Sequence, residues 1–383
     1  MKLETGKIIK DIFMDNHKFK VYMYDSSNNG VKANLFISLI ETDSINSELN
    51  IFKDLNDFSI IDDRIYGYLW KGEYKDYIYI DKDDKNYKEN DILYIMIYKK
   101  SKYNVDYTTF YLGITDENTP FLLNEGIEFR YRFDNSHKSQ KFFYYYINDE
   151  EDLQISFSLY FGRINVKVKI DETLYTTEYI SDDSHLITIR KYKLETLCKK
   201  KLKCPINIEV SNNDDYSYYS SFLIAVQSSK NVPIYLKQGV VNKRSILSGE
   251  DQHFIVDIKP DKSFGAKISV YFEKGQGELY ARKLLKSELF NITNFPDENN
   301  YEYISNYRTR NNGFYLIEIP YEEIANYDPC KILLTVRGLF PGYYTGTKIE
   351  YSISISNTLT ECDEDARIIQ QYCRKKLCIN LID

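Results

Sequence analysis

Short runs that alternate apolar and polar residues fill most of this chain. Ile164–Ile170 shows the pattern at its cleanest: Ile164, Val166, Val168 and Ile170 share one face, and Asn165, Lys167 and Lys169 share the other. A period of two is the signature of a strand with one buried side. Comparable runs recur in a fixed order. An aromatic run comes first, at His17–Tyr24, Gln140–Ile147 and Gln252–Ile258, followed by Ala33–Ile40, Leu153–Leu159 and Ala266–Phe272. Next come Glu48–Phe52, Ile164–Ile170 and Gly277–Ala281, then Tyr77–Ile80, Leu186–Ile189 and Leu316–Ile319. The order closes with Ile92–Ile97, Ile206–Val210 and Ile332–Val336, and with Thr108–Ile114, Ser220–Val226 and Glu350–Ile355. Asp, Asn, Ser and Gly cluster between the runs, as at Ser26–Gly30, Asn148–Asp152 and Asn311–Gly313. Such residues form turns because they tolerate unusual backbone angles or bond their own backbone.

Each series has three members, so the chain is a threefold repeat. A Pro, five residues and a Gly open two of the units, at Pro120–Gly126 and Pro233–Gly239, and Gly6 holds the equivalent place after Met1. A unit this long is a domain and not a solenoid turn. Roughly seven or eight short strands per unit, separated by turns, predict an all-β fold of tandem β-sandwiches, jelly-roll-like in layout; a barrel satisfies the same pattern. The expected boundaries are 1–118, 119–231 and 232–358, with a Cys-containing tail at 359–383. In that tail, acids at 363–365, bases at 374–376 and the apolar set Ile368, Ile369, Tyr372 and Leu377 predict a short helix.

Composition narrows the setting. The chain has 383 residues, enough for three ordinary domains. Its 37 Tyr accompany abundant Ile, Lys, Asn and Asp, a bias that AT-rich coding produces, and Tyr also suits strands wet on one side. A net charge of −7 argues against a nucleic-acid partner, which requires a basic face. The basic runs, Lys99–Lys100, Lys199–Lys201 with Lys203, and Arg374–Lys376, read as solvated loops. No run approaches the ~18–20 apolar residues that cross a bilayer, and the first residues lack the apolar core of a signal peptide.

The cysteines pull the other way. Six Cys (Cys198, Cys204, Cys330, Cys362, Cys373 and Cys378) allow fifteen pairings. Cys198 and Cys204 flank a short loop that a disulfide closes readily. Cys330 stands at the place of Cys204 in the third unit and would find its partner in the tail; the first unit has Asp91 there. Free thiols are the alternative, and a zinc site is disfavoured because no His lies near the loose spacing of Cys373 and Cys378. Because Gly6 follows so soon after Met1, the chain is expected to be an excerpt of a longer repeat protein with any signal sequence outside it. An intracellular three-domain protein is the other reading. The sequon at Asn291 is a glycosylation candidate and leans toward secretion.

Candidate chemistry is sparse. His17, His137, His185 and His253 are isolated, and no nucleophile elbow, zinc-protease helix or phosphate loop occurs. No residue is assigned a catalytic role. Acidic turns are the remaining site candidates. Asp81, Asp83 and Asp84 offer hard oxygen ligands for Ca²⁺ but depart from the EF-hand pattern at Lys85; plain turn solvation is the competing reading.

The stretch Ala266–Tyr280, with Gly239 and Phe254 ahead of it, resembles the pre-peptidase C-terminal domain family. Ile268, Ser269, Gly277, Glu278, Leu279 and Tyr280 fill that family's strand, Gly-rich turn and acidic-Leu-Tyr strand. The second and first units keep only Ile155-Ser156 and Ile37-Ser38 of the motif. The resemblance implies non-catalytic β-sandwich modules, as in large repeat-containing surface or secreted proteins of AT-rich protists, that accompany other domains and bind matrix, sugar or Ca²⁺. The resulting expectation is a structural or adhesive segment, in an extracellular filament or coat, whose partners are other protein chains or further copies of the repeat. An intracellular scaffold and a carbohydrate- or Ca²⁺-binding module are the alternatives, and no other cofactor is expected.

Overall fold

The computed structural model describes residues 1–357 except 15–17, 30–32, 42–46, 62–63, 73–76, 89, 100–106, 117, 134–137, 148–150, 182–183, 200, 202, 213–219, 229–231, 237, 259–264, 289–291, 293, 307, 309–312, 321–322, 324–330 and 341–346; residues 358–383 also lie outside the description. The fold is all-β, with strands numbered in chain order. The first pair of sheets sets β1 (Lys7–Met14), β10 (Tyr107–Asp116), β3 (Leu35–Glu41) and β8 (Tyr77–Ile80), in that lateral order, against β2 (Phe19–Asp25), β9 (Ile92–Lys99), β4 (Ser47–Phe52) and β7 (Trp70–Lys71). A small hairpin joins β5 (Ser59–Ile61) to β6 (Arg64–Tyr66).

The second pair sets β12 (Phe129–Phe133), β19 (Ser220–Gln227), β14 (Leu153–Phe161) and β17 (Ser184–Ile189) against β11 (Phe121–Leu122), β13 (Ser139–Ile147), β18 (Lys203–Asn212), β15 (Ile164–Ile170) and β16 (Thr173–Ile180). The third sets β21 (Asn242–Leu247), β28 (Lys348–Asn357), β23 (Ala266–Lys274) and β26 (Phe314–Ile319) against β20 (Ile234–Leu236), β22 (Asp251–Asp257), β27 (Lys331–Gly338), β24 (Gly277–Lys283) and β25 (Tyr303–Ser305). By compactness the chain divides into two units: residues 1–155, 161–182 and 187–229, and residues 156–160, 183–186 and 230–383.

Alternation explains the layering. In the first pair, Leu35, Ile37 and Leu39 of β3 meet Leu49 and Ile51 of β4 and Leu93, Ile95 and Ile97 of β9 in one core. In the third, Ala266, Ile268 and Val270 meet Leu279, Ala281, Ile332, Leu334 and Val336. Each core is therefore filled by the inward half of two sheets, as in a β-sandwich.

The repeat glycines have a structural reason. Gly6, Gly126 and Gly239 sit at φ +79°, +74° and +79°, where a side chain is strained. Their N–H groups donate to the carbonyls of Ile114, Val226 and Ile355, the same place in each last strand, at 2.7, 2.9 and 2.7 Å. The stretch before each glycine adds a short parallel pairing to the aromatic strand: Lys2 with Met23, Leu122 with Phe143, and Leu236 with Val256. The polar stretch after each glycine, which the sequence pattern left without a strand, is one: β1, β12 and β21. In β1 and β21 polar residues take inward places, Asp11 in the first and the buried Asn242 and Arg244 in the second, which interrupts the apolar pattern; β12 alternates Phe129, Tyr131 and Phe133 with Arg130 and Arg132.

Pairing register corrects one alignment. Ile97, Val210 and Val336 are equivalent, and their partners on the aromatic strand are Lys20, Gln140 and Gln252. Lys20, not His17, thus matches Gln140, because Tyr22 takes the inward place of Phe142 and Phe254, whereas Phe19 lies at the exposed start of β2. One polar locus recurs there between the sheets. Asp11 accepts from Lys20 at 2.6 Å and from the Tyr22 hydroxyl at 2.5 Å. Tyr131 donates to Gln140 Oε1 at 2.9 Å, and Tyr351 donates to Gln252 Oε1. Burial alone would raise the Asp11 carboxyl, but hydrogen bonds from Lys20, Tyr22 and the Ile12 N–H, with the Lys20 charge, hold it below the usual range.

Candidate functional site

Asp81 Oδ1 accepts the Asp83 N–H at 2.8 Å, and Asp84 accepts the Asn86 N–H at 2.7 Å and the Trp70 indole N–H at 3.0 Å. These carboxylates close turns and anchor Trp70, and no group of three or more His, Cys, Asp or Glu converges among the described residues. Cys198 and Cys204 form a disulfide, with Cα atoms 5.4 Å apart. Asp91, at the position of Cys204 in the first repeat, accepts the Lys88 N–H at 2.6 Å and pairs with Lys53 at 2.5 Å, so an ionic clasp replaces the covalent one. Cys330, Cys362, Cys373, Cys378, Asn291 and the expected tail helix lie outside the described residues. No helix among the described residues is long and apolar enough to cross a membrane.

The sheet containing the aromatic strand turns one face inward in every repeat. Its outer face is treated in two ways. In the first repeat, the outer rows are Val21–Met96–Asn50 and Met23–Tyr94–Phe52. Phe58, Ile60 and Ile65, from the segment carrying the β5–β6 hairpin, pack over them, and Met96 and Asn50 are fully buried. In the third repeat, the same rows read His253–Thr335–Tyr280 and Ile255–Leu333–Arg282. Leu284, Ile292 and Phe295 cover them. Arg282 clamps Glu288 with two hydrogen bonds of 2.7 and 2.8 Å, and the His253 ring stacks on Phe295 at 4.2 Å. Burial lowers the His253 pKa against the opposing pull of Asp251.

The second repeat leaves this face open. Its rows read Lys141–Glu209–Lys167–Thr177 and Phe143–Asn207–Lys169–Leu174, followed outward by Tyr145–Pro205 and Ile147–Lys203. A third row, Ser139–Ser211–Asn165–Tyr179, lies on the other side. Tyr145, Ile147, Leu174 and Tyr179 are 44, 52, 58 and 48% exposed. Phe143 and Tyr145 meet edge to face at 5.4 Å, which fixes the two rings on the strand. A bulge in the β15–β16 pairing between Val168 and Lys169 turns Leu174 to this face.

A basic knuckle stands at the end of the same face. The helix α1 (Lys191–Cys198) ends at Lys199 in the left-handed conformation, φ +50°, and the disulfide returns the chain directly into β18. Residues 191–203 hold six Lys against the single Glu195. Lys191 pairs with Glu195 at 3.7 Å and Lys201 with Asp171 at 2.5 Å. Lys193, Lys199 and Lys203 are exposed and make no carboxylate pair among the described residues. The sequence showed Lys199–Lys201 but not the helix, nor that Lys203 continues the face through Ile147.

No family model matches the chain, and no curated protein matches it. Among solved structures, the Sulfolobus Turreted Icosahedral Virus structure is similar over 93% of this chain and 84% of that chain, at 9% identity and a TM-score of 0.18. Tripeptidyl peptidase 2 matches over 89% of this chain and 34% of its own, at 10% identity and a TM-score of 0.22. The CUB1-EGF-CUB2 domains of rat MASP-1 match over 61% and 99%, at 8% identity and a TM-score of 0.17.

Proposed function

We propose that this chain is a non-catalytic, adhesive or structural segment of a larger secreted or cell-surface protein, built of tandem β-sandwich modules that resemble the pre-peptidase C-terminal family. The observation that carries the reading is the open sheet face of the second repeat. A sheet position that both sister repeats cover with their own chain is here left to solvent with Tyr145, Ile147, Leu174 and Tyr179 exposed. Exposed aromatic rings beside charged groups are the composition of a recognition surface. The Cys198–Cys204 bond supports an oxidising compartment, where disulfides persist.

Tandem modules multiply weak contacts, so a single open face per chain still gives useful avidity when chains are displayed side by side. The test is binding of the purified chain, coupled to beads, to extracellular-matrix preparations and glycan arrays. Tyr145→Ala and Tyr179→Ala are expected to reduce capture at least fivefold while leaving the melting temperature unchanged. Capture insensitive to both variants, or native protein with all six thiols free by mass spectrometry, would overturn the reading.

A further inference from the structure

We infer that the open face of the second repeat, together with the lysine knuckle, binds a sulfated polysaccharide. The inference rests on the proposed binding role of that face and adds its ligand class. Charge is the first argument. The chain is −7 overall, yet the open face and its knuckle carry Lys141, Lys167, Lys169, Lys203, Lys193 and Lys199, while the acids among the described residues there are Glu209, between Lys141 and Lys167, and Asp171 and Glu195, which pair with Lys201 and Lys191. A local reversal of sign on an acidic protein selects an anionic partner by electrostatic steering.

Geometry is the second argument. Lys167 and Lys169 are two residues apart on β15, about 7 Å, and Lys141 stands two strands from Lys167, about 10 Å. The cations are thus spread over a flat sheet and do not converge on one point. A single phosphate or carboxylate cannot engage them together, whereas a polymer with a sulfate on each successive sugar can. Exposed Tyr145 and Tyr179 flank the lysines and offer flat faces for sugar rings. Lysine suits the task because it acts as a mobile point charge and needs no fixed fork geometry.

Equivalent positions in the sister repeats sharpen the case. Lys141, Lys167 and Lys169 are Val21, Asn50 and Phe52 in the first repeat and His253, Tyr280 and Arg282 in the third. Only in the second repeat are all three cationic, and there the disulfide-bound knuckle adds lysines at the start of β18. The bond also favours a sulfated glycan over an intracellular polyanion such as RNA, because it belongs to oxidising compartments.

The experiment titrates the full chain with fluorescently labelled heparin, dextran sulfate, neutral dextran, an RNA homopolymer and vesicles containing phosphatidylserine, each at 50 and 150 mM salt. Binding to the two sulfated polymers alone is expected, weakening at least tenfold at the higher salt as released counterions require. Lys167→Gln with Lys169→Gln and Lys203→Gln is expected to weaken it at least tenfold. Tyr145→Ala, which leaves charge unchanged, is expected to weaken it about fivefold, the scale of one lost aromatic contact. Lys243→Gln with Lys267→Gln and Lys348→Gln, all in the third repeat, serves as a charge-matched control and is expected to change little. Equal loss in that control, equal binding to RNA or vesicles, or no binding to sulfated polymer overturns the inference. If Tyr145-dependent capture of another matrix component survives, the ligand class alone has failed; if no capture depends on the face, the adhesive reading falls with it.

Discussion

The repeat glycines allow one perturbation to be made in two surroundings. Gly6 and Gly239 share the same φ, +79°, and donate to equivalent carbonyls at the same 2.7 Å. Alanine at either site carries the penalty of the left-handed region, about 1–2 kcal/mol, reduced by the smaller entropy of the unfolded chain, about 0.4–1 kcal/mol. What differs is space. A Cβ at Gly239 meets nothing within 4 Å, whereas a Cβ at Gly6 lies 2.7 Å from the Pro120 carbonyl oxygen and 3.0 Å from the Thr119 methyl. Pro120 is backbone held in place by Leu122, whose N–H donates to the Gly6 carbonyl at 2.9 Å, so the clash is not relieved by a rotamer change. Overpacking of this kind adds about 1–3 kcal/mol. The expected costs are therefore about 1 kcal/mol for Gly239→Ala and about 2–4 kcal/mol for Gly6→Ala. Urea unfolding reads both. Trp70, the single tryptophan, lies in the first repeat, so its fluorescence follows the Gly6 variant and not the Gly239 variant. A midpoint shift of about 1 M is expected for Gly6→Ala at a urea slope of about 2–3 kcal/mol/M. For Gly239→Ala the tryptophan midpoint is expected to stay put, while hydrogen exchange of β21 and β28 accelerates. Equal costs at the two sites, or a larger cost at Gly239, would refute the steric part of the argument.

Three further outcomes concern Asn50, Glu288 and the Cys198–Cys204 disulfide. Asn50 is fully buried on the outer face of the first repeat, and neither its Nδ2 nor its Oδ1 has a hydrogen-bond partner among the described residues; Asn50→Leu is expected to stabilise the protein by about 1–2 kcal/mol in urea unfolding, and a loss of stability would show that the amide is satisfied. Hydrogen bonds from Arg282 outweigh burial and, with the Leu285 N–H and the Arg282 charge, depress the Glu288 pKa, so its stabilisation is full above the unfolded value of about 4.3 and is lost as pH falls through the lower folded value. Unfolding of the third repeat, followed by hydrogen exchange of β24, is expected to become easier below about pH 4, and Glu288→Gln to flatten that dependence; an unchanged slope would remove Glu288 from the account. Replacement of both Cys198 and Cys204 by Ala is expected to cost about 2 kcal/mol, the entropy of so short a closed loop, and no change in the unfolding midpoint would contradict it.

Much of the fold was legible because the inward rows obey a strict period of two. Ile164–Ile170 is buried at every odd place in the run and partly or fully exposed at every even one. The strands β1 and β21 were not legible because polar residues take inward places, Asp11 in the first and the buried Asn242 and Arg244 in the second; β12 follows the legible pattern, with Phe129, Tyr131 and Phe133 buried between Arg130 and Arg132, and was passed over. The alignment of His17 with Gln140 failed for a related reason. Local similarity favoured matching Phe19 to Phe142, but register depends on which aromatic points inward, and that is Tyr22. The helix Lys191–Cys198 escaped notice because only Leu194 and Cys198 are buried, too few for an apolar stripe. The sequence showed Lys167 and Lys169 on one side of a strand but not the face they belong to, because Lys141 is far from them in sequence and meets them only through the pairing of β13, β18 and β15.

The three outer faces also show how a repeat diverges without losing its fold. Inward residues are constrained by two sheets at once, and the cores keep apolar residues at equivalent places: Leu49, Val166 and Leu279 all stand opposite the equivalent strand residues Ile97, Val210 and Val336. Outward residues answer only to whatever lies above them. Where an insertion supplies apolar partners, Met96 and Leu333 are buried and tolerated. Where no insertion lies above, Glu209 and Asn207 replace them, since a sheet wet on one side needs polar groups on that side. Solvation alone explains Glu209, Asn207, Lys167 and Thr177. It does not explain Tyr145, Ile147, Leu174 and Tyr179, which lose hydrophobic stabilisation by standing in water on the same face. Apolar side chains kept exposed among polar neighbours are the part of the pattern that folding does not require, and they frame the lysines on which a sulfated chain would lie.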